Sequence, residues 1–133
     1  PVVSVIDGDT ILVRKGDRVE TVRLLGIDTP EIDGPYTQEA CFGPEASQAT
    51  AEILLGQEVI LLSDTFSADR DHYDRLLRYV FRDDGLFINA FLISEGFAFY
   101  YPVEDFAFMN YFADLEREAQ EGNLGLWSGG CDY

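Results

Sequence analysis

The first quarter of the chain is written in three β-type runs broken by very short turns, and this limits what it can become. "VVSVI" is apolar and β-branched, and "DGD" follows as a turn. "TILVRK" alternates, "GD" turns again, and "VETVRLLGI" continues in β-branched and apolar residues. Such runs read as consecutive strands, because branched side chains suit a pleated, half-buried surface and Asp-Gly pairs suit tight turns.

Beyond them "DTPEIDGPYTQEACFG" is loop-like, with two Pro and two Gly. Pro44 suits a first helical turn, Ala46, Ala49, Thr50 and Ile53 recur at helical spacing, and Gly56 closes the end. "QEVILLS" reads as a strand, "DTFSADRDHYD" as a polar loop, "RLLRYVF" as a strand and "RDDG" as a hairpin turn. A short helix is expected from about Asn89 to Glu95, stopped by Gly96, before the aromatic stretch "FAFYY". The last helix is expected from about Glu104 to Glu121, with Phe108, Phe112, Leu115 and Ala119 on one face and Gly122 as its stop. About five strands, most of them before the long helix, give an α+β class. A small closed or partly closed barrel capped by helices is compatible with that order.

With 133 residues, 47% of them hydrophobic, the chain suits one compact domain over 1–133 and excludes a disordered composition. No run approaches the roughly 20 apolar residues of a membrane span. The chain opens on Pro1 without a signal-peptide pattern, so it reads as mature or trimmed, with any targeting segment outside it. Acidic residues outnumber basic ones 25 to 9, for a net charge of −16, and eight of the nine bases are arginine. A nonspecific nucleic-acid binder usually has a basic face. The acidity reads mainly as a solubilising surface, with only a few carboxylates clustered for a cation. Cys41 and Cys131 lack the close spacing of a zinc site. They read either as one disulfide, as in an exported protein, or as two free thiols.

Charged groups collect where strands end. Asp7 and Asp9 bracket Gly8, Arg23 lies in a strand, Asp28 and Glu31 follow where that strand leaves, and Arg75 begins another. Carboxylates in threes or fours bind a hard cation, which neutralises phosphate oxygens. Two arginines can fork onto the other phosphate oxygens, and a remaining carboxylate can take a proton from water. Each piece alone has a plainer use: "DGDT" as a turn, Arg23 in a surface ion pair, "DTPE" as loop chemistry. Strand parity puts Arg23 and Asp28 on opposite faces, so both reach one substrate only if the chain bends near Gly26.

Taken together, "VIDGDT", "RLLGIDTPE", "FGPEAS", "DHYDR" with "LLRYVF", "NAFLISEGFA" and "EAQEGNLGLWS" resemble the staphylococcal nuclease (thermonuclease-like) family, in the family's order, from about Val3 to Ser128. The resemblance implies a five-stranded OB-type β-barrel capped by three α-helices. It implies Asp9, Asp28 and the Thr29 carbonyl as Ca²⁺ ligands, with Asp7 behind them. Glu31 would position or deprotonate the attacking water, Arg23 and Arg75 would bind the phosphate, and Tyr73 would sit beside the nucleotide's phosphate end. The implied activity is Ca²⁺-dependent hydrolysis of DNA or RNA on the 5′-oxygen side, leaving 3′-phosphates, by a secreted or cell-envelope monomer with no membrane partner.

Three features depart from the family. Asp74 stands where glycine is common; it tolerates a left-handed backbone, but it either sets a negative charge beside Arg75 or points to solvent. His72, where a basic residue is frequent, is a substrate-side candidate whose plainer reading is an exposed loop residue. The net charge is acidic, and Arg14, Arg18, Arg70, Arg78 and Arg82 would have to supply any local positive patch. Tyr100 and Tyr101 are candidates for base contact, although "FAFYY" also suits core filling. Two other readings stand beside the nuclease: a nuclease-like binding module with little or no turnover, and an acidic Ca²⁺-binding domain without chemistry.

Overall fold

In a computed structural model, residues 1–32, 40–102 and 105–133 are described. The expected strands form in the expected order. β1 (Val2–Asp7), β2 (Thr10–Lys15) and β3 (Arg18–Leu24) pair antiparallel in sequence. Lys15 lies opposite Arg18, so the hairpin between β2 and β3 turns on Gly16 and Asp17. Gly16 has φ +62°, a conformation that a two-residue hairpin loop needs and that costs glycine little.

Five strands form one sheet in the order β1-β2-β3-β6-β5, with β5 at Val59–Leu62 and β6 at Leu76–Arg82. β6 runs parallel to β3 and antiparallel to β5. The two ends of that order meet. Val2 N–H donates to the Gln57 carbonyl and Gly56 N–H donates to the Val2 carbonyl, each at 2.9 Å, which curls the sheet toward a barrel. β4 (Ile27–Asp28) pairs with β7 (Phe99–Tyr100) as a separate two-stranded ribbon.

Three helices cap the sheet, giving the expected OB-type α+β fold. α1 (Gly43–Leu54) begins with Pro44 in its first turn and buries Ala46, Thr50 and Leu54, a four-residue spacing that faces β1. α2 (Ile88–Ser94) follows the Asp83–Gly85 turn after a single bridge between Phe81 and Phe87. α3 (Met109–Glu121) buries Phe112 and Ala119, with Phe108 and Leu115 against the core, as the periodicity indicates. The core runs through Ile11, Val22, Leu24, Ile27, Tyr79, Leu92, Ile93 and Phe112, all at most 1% exposed. No helix among the described residues is long and apolar enough to cross a membrane.

One boundary differs. The expected start of the last helix at Glu104 lies outside the described residues, and the helix itself begins at Met109. The Ala107 N–H donates instead to the Asp64 carboxylate at 2.7 Å, and that carboxylate also accepts from the Tyr79 hydroxyl. A nonlocal acceptor thus holds the segment before the helix out of helical geometry.

The chain does bend at Gly26, by a turn rather than a bulge. β3 ends at Leu24, Leu25 and Gly26 turn with φ +76° at the glycine, and the chain re-enters as β4. A Cβ on Gly26 would lie 2.5 Å from the Phe106 ring and 2.9 Å from the Phe112 ring. Gly26→Ala therefore combines a left-handed backbone with overpacking, and is expected to lower stability by about 2–4 kcal/mol. Urea unfolding measures this directly; an unchanged midpoint would show that the turn has room to spare.

Candidate active site

Three segments deliver the charged residues to one place. The Asp7–Thr10 turn is held from two sides: Leu24 N–H donates to the Asp9 carbonyl at 2.9 Å, and the Thr50 hydroxyl on α1 donates to the Gly8 carbonyl at 2.7 Å. Gly8 is required there, since a Cβ would sit 2.8 Å from the Thr29 side chain. The Gly26 turn then swings Ile27–Thr29 back across the end of β3.

Arg23 ties these segments together. Its Nη1 donates to the Leu24 and Ile27 carbonyls, both at 2.9 Å, across the turn. Its Nη2 lies 3.3 Å from both Asp9 Oδ2 and Asp28 Oδ1. Asp9 is buried and further engaged: Oδ2 accepts the Thr29 N–H at 2.9 Å and Oδ1 accepts the Thr10 hydroxyl at 2.9 Å. The Asp28 side chain is 38% exposed against 5% for Asp9, so Asp28 is the carboxylate that opens to solvent.

Their electrostatics follow from this crowding. Burial alone would raise Asp9, but the Arg23 guanidinium and hydrogen bonds from Asp7, Thr29 and Thr10 hold it below the usual carboxylate range. Asp7 is pushed up to about 8, first by burial and then by the Asp9 carboxylate beside it, so at neutral pH it is the protonated partner of that pair. Asp28 is pushed up to about 6, by burial and then by Asp9, with Arg23 opposing. The charge of Glu31 adds to the rise of both Asp7 and Asp28. Glu31 itself is exposed, at the edge of the group.

Four carboxyl groups within electrostatic reach of each other are hard oxygen donors of the kind Ca²⁺ takes. Thr29 Oγ1 is buried with no hydrogen-bond partner among the described residues, in the same turn. The donor chemistry fits a hard divalent cation. Among the described residues, however, no three acidic, His or Cys side chains converge closely enough to chelate one as they stand; Asp9 and Asp28 converge as a pair about Arg23.

Arg23 also faces a cleft of about 380 Å³, whose lining includes Asp71, His72, Tyr73, Arg75, Tyr101 and Phe106. Arg75 and Tyr73 thus share a cavity with Arg23. Asp71 was not singled out in the sequence, yet it organises this wall. Its carboxylate accepts the Arg75 Nε–H at 2.8 Å and the backbone N–H groups of Tyr73 and Arg75 at 3.0 Å. Those bonds and the Arg75 charge outweigh burial, which alone would raise Asp71, and hold it below the usual range. The guanidinium of Arg75 stands 5.2 Å from the Tyr73 ring, and that of Arg23 stands 5.8 Å from the Tyr101 ring. Of the two tyrosine candidates, Tyr101 lines the cleft, while Tyr100 is half-buried against the core.

The departures resolve simply. Asp74 adopts φ +65° and its side chain, 87% exposed, points toward Arg70 at 3.7 Å rather than into the cleft. His72 is an exposed loop residue whose ring lies 4.0 Å from that of Tyr73. The arginine patch is not at the site. Arg18, Arg70 and Arg78, with Lys15, line a different hollow that also holds Glu20 and Asp69, and all three arginines pair with carboxylates.

Because Thr50 fixes the Gly8 carbonyl in a buried position, Thr50→Val is near-isosteric but leaves that acceptor unsatisfied. It is expected to cost about 1–3 kcal/mol, read as a lower urea midpoint at unchanged m-value. An unaltered midpoint would mean that water or another donor reaches Gly8.

A family model described as staphylococcal nuclease homologue matches residues 21–129. A protein named thermonuclease from Staphylococcus intermedius is 39% identical over 126 residues, covering 92% of this chain and 72% of that one. Another thermonuclease, from Staphylococcus hyicus, is 36% identical over 130 residues, covering 96% and 74%. Endonuclease YncB of Bacillus subtilis is 35% identical over 125 residues, covering 92% of this chain and 58% of its own length. The turn-and-arginine construction is thus found in a chain whose sequence is similar to these proteins over more than nine-tenths of its length, and the chain belongs to the staphylococcal nuclease family.

Proposed function

We propose that this chain is a nuclease, a hydrolase of phosphodiester bonds in DNA or RNA, working as one monomeric domain over 1–133. The observation that carries the reading is the double engagement of Arg23. One guanidinium touches the Asp9 and Asp28 carboxylates and also forms the wall of the cleft that contains Arg75.

The proposed chemistry assigns each group a task. Arg23 and Arg75 bind the phosphate and take up the charge that builds on its oxygens as phosphorus becomes five-coordinate. Glu31 orients a water and accepts its proton as the oxygen bonds to phosphorus. The bond to the 5′-oxygen breaks, that oxygen takes a proton from solvent water as it leaves, and the 3′-phosphate remains on the upstream strand. Asp9, Asp28 and the Thr29 carbonyl would hold Ca²⁺, which when bound would neutralise phosphate charge and polarise phosphorus. Asp7 shapes that group from behind by its hydrogen bond with Asp9. Tyr73 and His72 stand on the substrate side of the cleft. The cystine bond between Cys41 and Cys131 suits a secreted or cell-envelope setting.

A second reading, a module that binds nucleic acid or protein, is favoured by two observations. Arg75 Nε is already bonded to Asp71, and the net charge is −16, which disfavours long polyanions. A binding module with weak turnover would tolerate both.

Digestion of denatured DNA in Ca²⁺ and then in EDTA separates the two. The nuclease reading expects cleavage that EDTA abolishes. It also expects losses of at least about 100-fold in Glu31→Gln and in Arg23→Ala, the scale of removing a general base or a transition-state donor. Normal cleavage by Glu31→Gln would remove that residue from the mechanism; no cleavage by the native protein, with retained DNA binding, would favour the module.

A further inference from the structure

Glu31 is exposed, so its side chain is not fixed by surrounding core. Its backbone is fixed from outside the site. The Ala40 N–H donates to the Glu31 carbonyl at 2.8 Å, and the Gly43 N–H closes back on the Ala40 carbonyl at 2.9 Å. Gly43 lies so close that a Cβ there would sit 2.2 Å from the Glu31 carbonyl oxygen. Residues 40–43 therefore form a bracket behind the proposed base.

Within that bracket Cys41 is bonded to Cys131, 90 positions away, with their Cα atoms 5.9 Å apart. A second contact reinforces the first, since the Tyr133 hydroxyl donates to the Cys41 carbonyl at 2.8 Å. The Tyr133 ring also lies 5.0 Å from that of Phe99, the residue that pairs with Asp28 between β4 and β7. The C-terminal tail, irregular after the 3₁₀ turn Gly125–Trp127, reaches the backbone behind Glu31 and the strand opposite Asp28 at once.

We propose that the Cys41–Cys131 disulfide is a positioning element for the site. It clamps the tail onto residues 40–43, and these hold the Glu31 backbone where its carboxylate can act. Cutting the bond loosens Glu31 while the barrel stays folded. The activity arm of this inference rests on the nuclease reading; the structural arm does not. Cys41 is exposed, so a dithiol such as dithiothreitol can reach the bond. The S–S bond breaks, two protein thiols form, and the reagent closes to its own cyclic disulfide.

The test compares the native protein with the Cys41→Ser, Cys131→Ser double variant by native-state hydrogen exchange. A disulfide across so long a loop also lowers global stability when lost, which reduces protection everywhere that exchanges by unfolding. The discriminating quantity is the local excess. Protection at the Ala40 amide should fall at least about 10-fold more than at the Leu24 amide, which is bonded to Asp9 in the barrel. Equal falls at both would overturn the proposal.

In activity, kcat should drop about 10-fold or more with KM within about threefold. In a Glu31→Gln background the Ser pair should cost nothing further, the signature of residues acting as one unit. The same additional loss in that background would also overturn it. If the Ser pair does not express as a folded protein, reducing the folded native protein with dithiothreitol supplies the same comparison; a barrel that unfolds on reduction would make the bond a global brace and overturn the proposal. If the native protein cleaves nothing, the nuclease reading fails, and the exchange measurement still decides the positioning role.

Discussion

The guanidinium of Arg23 is where the fold and the site become the same set of bonds. Two of its hydrogen bonds close the Leu24–Ile27 turn, and its other contacts hold Asp9 and Asp28 side by side. Two neighbouring carboxylates repel each other, and Asp28 is raised to about 6 first by burial and then by the Asp9 charge, with Arg23 opposing. A half-buried arginine that donates to both backbone carbonyls and carboxylates has its plane fixed as well as its charge. The cleft thus has a pre-oriented cation in its lining, which also includes the Arg75–Asp71 pair.

The acidity of the chain is also informative about organisation. Most of its arginines are paired: Arg70 with Glu20, Arg78 with Asp69, Arg82 with Asp84, and Arg117 with Asp114. Little positive potential is left for a polyanion to find at long range. On the proposed reading, attraction of a phosphate is short-range and comes from Arg23 and Arg75 within the cleft, a setting that suits tight fixation of one phosphate better than a broad grip on a strand.

How much of this was legible in the sequence depends on whether the cause was local. Strands, turns and helices showed in periodicity and in Gly, Pro and Asp positions, and strand parity required a bend near Gly26 if Arg23 and Asp28 were to reach one substrate. The convergence of Asp9, Arg23 and Asp28 was legible only through the combined motifs, because no spacing encodes which strand ends meet. The bonds that Thr50, Asn89 and Asp71 make are not legible in the sequence. Thr50 and Asn89 look like ordinary members of helical faces, yet they bond backbone far away, at Gly8 and at Leu25 and Val80. Asp71 was one of several aspartates in a polar loop, and only the loop's closure on Arg75 sets it apart. The helix start at Met109 was missed for the same reason, since the competing acceptor, Asp64, lies 43 positions from Ala107.

On the proposed reading, one pocket brings a divalent ion and a phosphate ester together around Arg23. Calorimetric titration of a nucleoside 3′,5′-bisphosphate, with and without Ca²⁺, addresses it most directly. A shared pocket predicts binding at least about 10-fold tighter with the ion present, and an equal gain in Ca²⁺ affinity with the nucleotide present, as linkage requires. Affinities that ignore each other would place the two ligands at separate sites and contradict the account.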